Sequence, residues 1–373
     1  MFRTRTYLDY AAGAAANPSS PHREGLRAKK ILDGARAKIA RLVEAKPDDV
    51  VFTSGATEAN ALAILGHIRA LRALGGRAHF LYLPSAHASV VENARLLAAE
   101  GVAVEELPLA GARVDLGRLR EMLREETALV AMDAVCGETG VVWNTREVRR
   151  TLDEARPDGP RILLLVDASQ APLTEKLSRA HFGADLLVLD ASKAGAPRGI
   201  GALIARRSIP LLPLYRGGGQ ERGVRPGSET PDLAEAFARS LAEAAAGREA
   251  FRAAAAAARA RLVAAITAAV PNVYIQEGRA QVPHILNLAL PGRDTDYLVA
   301  LLDEAGFAVS TRSACETDSA EGSRAVLALT GNPARARATL RVSWGPQTRE
   351  RALRRFARAL AENVAFIDSA AGG

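Results

Sequence analysis

Apolar residues along this chain gather into short runs. VVFTS (50–54), FLYLP (80–84), VAVEELPL (102–109), ALVAMDAV (128–135), ILLLVDA (162–168) and DLLVLDA (185–191) follow one another, with polar stretches between them. Short runs of this kind predict strands. The intervening VVENARLLAAEG and TREVRRTLDEA space their apolar residues three and four apart, as helices do. Strand and helix in alternation predict an α/β domain with a mainly parallel sheet. Residues 22–45 predict a helix with Leu26, Ile31, Ile39, Leu42 and Val43 on its apolar side. GATEANALAILGHIRALRAL, after VVFTS, predicts a glycine turn opening into a helix. PLLPLYRGGGQERGVRPGSET (210–230) is too rich in Gly and Pro for regular structure. An Ala-rich stretch, 232–268, predicts a helix long enough to join two domains. From about 270 the pattern changes. VYIQ, PHILNLALPG, FAVSTRS and ATLRVSWG predict strands, with helices at 294–305, near 321–329 and at 348–364, as in a smaller α+β domain.

Ligands of open α/β sheets bind beyond the carboxyl ends of strands. Asp167 and Lys193 fall at such ends. A lysine amine can hold an aldehyde cofactor as a Schiff base, and a carboxylate can keep a pyridine nitrogen protonated. Asp167 follows five apolar residues, and a buried carboxylate is costly unless paired; a ring nitrogen or a helix cap would serve. Gln170 is suited to a ring hydroxyl or to solvent. Ala56 and Thr57 fit a phosphate cradle or an ordinary cap. His87, between strand and helix, can stack on a flat ring and move protons. Arg341 lies in an apolar strand and needs an anion, either a substrate carboxylate or an internal acid. Cys315 sits in the hydrophilic SACETDSAEGS, which suits a mobile nucleophile with a neighbour that favours the thiolate. Cys136 reads as a core thiol.

With 373 residues, 48% hydrophobic and 24% charged, the chain has material for two domains. Its net charge of +7 comes from scattered arginines without interleaved aromatics. No direct nucleic-acid contact is expected, while an acidic protein partner or an anionic cofactor fits the sign. Two cysteines argue against a disulfide framework. MFRTRTYLDYAAG lacks the apolar centre of a signal peptide, and no run approaches the ~18 residues of a membrane span. A cytoplasmic protein without membrane attachment or metal centre is expected.

YLDYAAG (7–13), NPSSPH (17–22), FTSGATEAN, VDASQAP, GIGAL, GGGQERGVRPGSE (217–229), SAC (313–315) and LRVSWG (340–345) occur in one order along nearly the whole chain. In that order they resemble cysteine desulfurases of the NifS/IscS-like group, within the class V aminotransferase superfamily. The resemblance implies the pyridoxal-phosphate (PLP)-dependent transferase fold type I. Residues 9–247 would form a large domain around a mainly parallel seven-stranded sheet, and 1–8 with 248–373 a smaller α+β domain. It also implies a homodimer that takes sulfur from L-cysteine, releases alanine and passes the sulfur to an iron–sulfur scaffold or a tRNA-thiolation enzyme. The implied roles are Schiff base and α-proton transfer for Lys193, pyridinium pairing for Asp167, the phenolic oxygen for Gln170, and stacking with acid–base work for His87. Ala56, Thr57 and Ser192 would bind phosphate, joined by Ser228 from across the dimer, where the family usually has Thr. Arg341 would bind the substrate carboxylate, and Cys315 would take the sulfur as a persulfide.

Several positions depart from the family pattern. Cys136 and Gly137 replace an Asn pair. Asp190 puts a carboxylate where a phosphate-binding hydroxyl is common, which would repel the phosphate unless it points away; the sequence leaves its direction open. Arg312 replaces a Gly near Cys315, and about twenty residues (from the usual family spacing) are missing between YLDYAAG and NPSSPH. Two other readings stand beside the desulfurase: another class V lyase or aminotransferase, such as a selenocysteine lyase, and a catalytically weak partner in sulfur trafficking.

Overall fold

The structure, a computed structural model, describes residues 6–14, 16–311 and 322–371. Seven strands form the main sheet: β1 Val50–Thr53, β2 His79–Tyr82, β3 Ala103–Glu106, β4 Thr127–Asp133, β5 Leu163–Asp167, β6 Leu186–Asp190 and β7 Gly201–Ala205. Their order is β1-β7-β6-β5-β4-β2-β3. Only β7 runs against the rest, pairing antiparallel with both β6 and β1. The apolar runs thus form strands, as predicted, and all but β3, which is half-buried to exposed, are buried along most of their length. Helices α1 Arg23–Leu42, α2 Ala56–Ala61, α3 His67–Ala73, α4 Ala88–Ala99, α5 Leu116–Met122, α6 Thr145–Ala155 and α7 Arg179–Phe182 connect and cover them. A π-turn, Leu62–Gly66, makes α2 and α3 one continuous rod.

Helix α8, Pro231–Ala269, serves two cores. Ala234, Phe237, Ala238 and Leu241 pack on the main sheet. Ala255, Leu262 and Ile266 pack into a second cluster with Leu286, Leu340 and Phe356. Three antiparallel strands build that second unit, β8 Tyr274–Gln276, β9 Ile285–Ala289 and β10 Thr339–Ser343, in the order β10-β9-β8. Its helices are α9 Thr295–Glu304, α10 Arg324–Thr330, α11 Pro333–Arg337 and α12 Glu350–Ala371. Ile285 at the start of β9, with Ala325 and Leu329 of α10, packs into the first core and joins the two sheets.

Three expectations change. GALIA, in β7, is a strand that the hydrophobic pattern did not separate from the Gly- and Pro-rich segment before it. The strand expected at 102–109 stops at Glu106, two residues before Pro108, which has no N–H to give. FAVSTRS forms no strand in its described part; Ser310 and Arg341 exchange one pair of backbone bonds there. The shortened N-terminal segment closes on itself. Asp9 accepts Ser20 Oγ at 2.8 Å and lies 3.0 Å from His22 Nε2, while His22 Nδ1 caps α1 through the Gly25 N–H.

GGGQERG docks by one carboxylate. Glu221, whose side chain is 1% exposed, accepts both Arg36 terminal nitrogens, at 2.6 and 2.9 Å, and the Phe52 N–H at 3.0 Å. Arg36 also donates to the Val50 carbonyl and lies over the Phe52 ring. Glu221→Ala would leave a guanidinium and a backbone N–H without their acceptor. It is expected to destabilise the fold by about 3–5 kcal/mol, read as a lower urea midpoint with an unchanged slope.

Candidate functional site

Three neighbouring parallel strands each end on an acid. Asp133 closes β4, Asp167 closes β5 and Asp190 closes β6, with Asp133 and Asp167 opposite each other in register. Carboxylates crowded at one sheet edge repel unless donors separate them or a proton neutralises one. The structure resolves the three differently.

Asp167 is buried and stays an acceptor. Asn60 Nδ2 donates to its Oδ2 at 2.7 Å, and the Ser169 N–H to its Oδ1 at 2.9 Å. The second Asn60 amide hydrogen goes to Ser89 Oγ at 3.0 Å, and Ser89 Oγ lies 2.8 Å from His87 Nδ1. That nitrogen also accepts the Ser89 N–H and so caps α4. Nδ1 is therefore the acceptor, and a neutral ring carries its proton on Nε2. A hydrogen-bonded chain thus links an exposed imidazole to a buried carboxylate. Asp133 takes the opposite solution. Burial first, then the charge of Asp167, pushes it well above the ordinary carboxylate range, against a weaker pull from the His87 backbone. Its Oδ1 has no hydrogen-bond partner. Sequence reasoning passed over Asp133 and Asn60, although Asp133 ends an apolar run just as Asp167 does.

Asp190 does not point away. Its Oδ1 accepts the Ser192 N–H at 2.9 Å and Ser192 Oγ at 2.6 Å, and its Oδ2 accepts the Ala56 N–H at 3.0 Å. The direction that the sequence left open is thereby given: the carboxylate sits on the donors that the resemblance assigns to phosphate. Packing keeps it there. A Cβ at Gly201 would come within 2.6 Å of the Gly55 backbone, so only glycine lets β7 press this close to the turn before α2. Lys193 follows, itself exposed, in a 3-10 turn, Ser192–Ala194, whose Ala194 is buried.

Lys193, Ser192, Gln170, Gly137, Arg341 and Trp344 line one cavity of about 380 Å³ between the main sheet's carboxyl edge and β10. Arg341 donates to the Gly137 carbonyl at 3.2 Å, and among the described residues no carboxylate pairs with it. A Cβ at position 137 would stand 3.0 Å from Gln170 Nε2, so Gly137 leaves room for the Gln170 amide. His284, also on the wall, was not singled out from sequence. It is buried edge-on to Phe251, its Nδ1 lacks a partner, and burial lowers its pKa to about 4, so the imidazole is neutral. Burial pushes the Cys136 thiol up to about 12, with Glu138 and Asp133 adding to the shift, which removes it as a nucleophile at neutral pH. Thr57 and Ser228 are exposed and do not line the cavity. Cys315 and Arg312 lie outside the described residues. A larger depression, about 530 Å³ with His67, Glu126 and Arg206, opens at the amino edge of the sheet, where such folds seldom bind ligands.

Residues 4–356 match the model of the family described as aminotransferase class-V. The chain belongs to that family, in its NifS/IscS-like group. It is 34% identical to the cysteine desulfurase IscS of Vibrio atlanticus, over 91% of this chain and 82% of that protein. It is 30% identical to the cysteine desulfurase IscS 1 of Archaeoglobus fulgidus, over 91% and 87%. A solved NifS-like protein superposes with a TM-score of 0.86 at 24% identity, covering 96% of this chain and 93% of that one. That superposition shows a shared fold, the mainly parallel seven-stranded sheet of fold type I.

Neutral His284 makes this class-V chain acid-sensitive. Its pKa falls from 6.5 unfolded to about 4 folded. The stability it contributes is present above pH 6.5 and lost as pH drops through 4. Between pH 7 and 4 the wild type should lose about 3 kcal/mol more than His284→Gln, measured by urea midpoints at each pH.

Proposed function

We propose that this chain is a PLP-dependent L-cysteine desulfurase. It would act as a cytoplasmic homodimer, with residues 9–247 as the cofactor domain and 1–8 with 248–373 as the domain that carries Cys315. The supporting observation is convergence: a lysine, an amide and an arginine that has no acid partner among the described residues face one cavity, and Gln170 on its wall lies three residues after a strand-end carboxylate that accepts from Asn60.

The donor set suits such a cofactor at its ring end. When bound, PLP draws electrons from the amino-acid carbon and so loosens the bond to sulfur. Lys193 would hold the aldehyde carbon and later carry the substrate's α-proton. Asp167 would face the pyridine nitrogen, Gln170 the ring hydroxyl, and His87 the ring. Proton loss or gain at His87 Nε2 would be steadied through Ser89 and Asn60. Arg341 would bind the substrate carboxylate, a bidentate task for which it is already placed at the cavity wall. The Cys315 thiolate would attack the substrate sulfur. An S–S bond forms, the C–S bond breaks, its electron pair stays with carbon, and a proton completes alanine. The persulfide would then pass to an acceptor protein of iron–sulfur assembly or tRNA thiolation. At the phosphate end Ala56, Thr57, Ser192 and Ser228 of the partner subunit are the candidate donors. Asp190, seated on two of them, favours one competing reading, a weakly catalytic partner in sulfur trafficking.

Purified protein mixed with PLP and L-cysteine should release alanine and gain one sulfur atom on Cys315, seen by mass spectrometry. Lys193→Ala should lower alanine release by about 10²–10⁴-fold and abolish the visible absorption of the lysine-bound cofactor. Continued alanine release from Cys315→Ala, with persulfide never detected, would overturn the desulfurase reading. No alanine at all from the wild type would favour the trafficking partner.

A further inference from the structure

We infer that Asp190 is a resident anion in the phosphate end of this site and that it sets how well the protein tells a phosphorylated aldehyde from an unphosphorylated one. The inference rests on the cofactor site proposed above and adds a specificity residue to it.

Both oxygens of Asp190 are engaged, and by three donors: the Ala56 N–H, the Ser192 N–H and the Ser192 hydroxyl. Two of these, the Ala56 N–H and the Ser192 hydroxyl, are the donors a cofactor phosphate would seek. A dianion approaching them meets a like charge in place and must displace it, which separates Asp190 from all three partners. The backbone offers the carboxylate little freedom to leave. Asp190 ends β6 paired with Gly201, and Gly201 is pressed against Gly55 so tightly that no Cβ fits. The ring end has no such obstacle. Lys193, Gln170 and Asp167 would face the aldehyde, the hydroxyl and the ring nitrogen, which pyridoxal and its phosphate share. The protein should therefore gain little from the phosphate and accept pyridoxal almost as readily as pyridoxal 5′-phosphate. A neutral residue at position 190 would restore the preference, because it frees the donors and removes the repulsion.

The experiment uses the full-length protein, stripped of bound aldehyde, with Asp190→Ser and the isosteric Asp190→Asn. Dissociation constants for pyridoxal and for pyridoxal 5′-phosphate are measured from the visible absorption each develops on binding. Both aldehydes react with the same lysine, so the ratio of the two constants isolates the phosphate end. The expected result is a ratio near unity in the wild type. Each variant should shift it by about 10–100-fold towards the phosphorylated aldehyde, the range of a charge-assisted hydrogen bond. Inorganic phosphate alone should raise the melting temperature of the variants and leave that of the wild type unchanged, a readout independent of any aldehyde. A ratio that stays the same in both variants, with both aldehydes binding, overturns the role of Asp190 and leaves the cofactor site standing. A wild type that already binds pyridoxal 5′-phosphate far more tightly than pyridoxal also overturns the inference, whereas failure of both aldehydes to bind any of the three proteins overturns the cofactor reading, and this inference with it.

Discussion

The buried carboxylate of Asp167 is the constraint around which this site is built. A negative charge at the end of an all-apolar strand survives only if donors reach it. Asn60 supplies one from a helix more than a hundred residues away in sequence, and the Ser169 N–H supplies the other. The same amide steers Ser89, and Ser89 fixes the tautomer of His87. Neighbouring Asp133 is pushed well above the ordinary carboxylate range, by burial first and then by Asp167. One carboxylate, held by one amide, thereby bears on the tautomer of an exposed imidazole and on a second acid. Such chains act as units, and deleting any member disturbs the others more than its own bond is worth.

The cavity lies where two sheets meet, and neither alone would make it. The main sheet brings Lys193 and Gln170 to its carboxyl edge, and the smaller sheet brings Arg341 and the neutral His284. Gly137 works at that seam: its missing side chain admits Gln170, and its carbonyl receives Arg341. A position that departs from the family pattern thus has a local physical reason here. The same holds for Cys136, which burial turns into a packing residue.

Much of this was legible in the chain. Short apolar runs announced the strands of a mainly parallel sheet, and the long Ala-rich helix and the change of pattern after it announced a second unit. Lys193, Gln170 and Arg341, chosen from their local contexts, do share one cavity. What escaped depends on contacts between distant segments. β7 looked like the tail of a glycine-rich loop because β1, one of its two partner strands, is far from it in sequence. Asn60 sat inside a quoted motif without a visible task, because its acceptor lies on β5. The direction of Asp190 had no local signal either. It follows from the approach of β7 to the turn before α2, where a Cβ on Gly201 would strike the Gly55 backbone. His284 read as one more residue of an apolar strand, and its loss of charge appears only once Phe251 and the cavity wall close around it.

The link between Glu221 and Phe52 has a meaning for the outside of the molecule as well. β1 is a border strand, bonded to β7 on one flank and to nothing sheet-like on the other. On that open flank its Phe52 amide is already committed to a carboxylate, and an arginine takes the Val50 carbonyl. A foreign extended peptide arriving there would find its docking groups spent and a salt bridge in its path. The loop that closes the fold thereby also guards it against unwanted self-association.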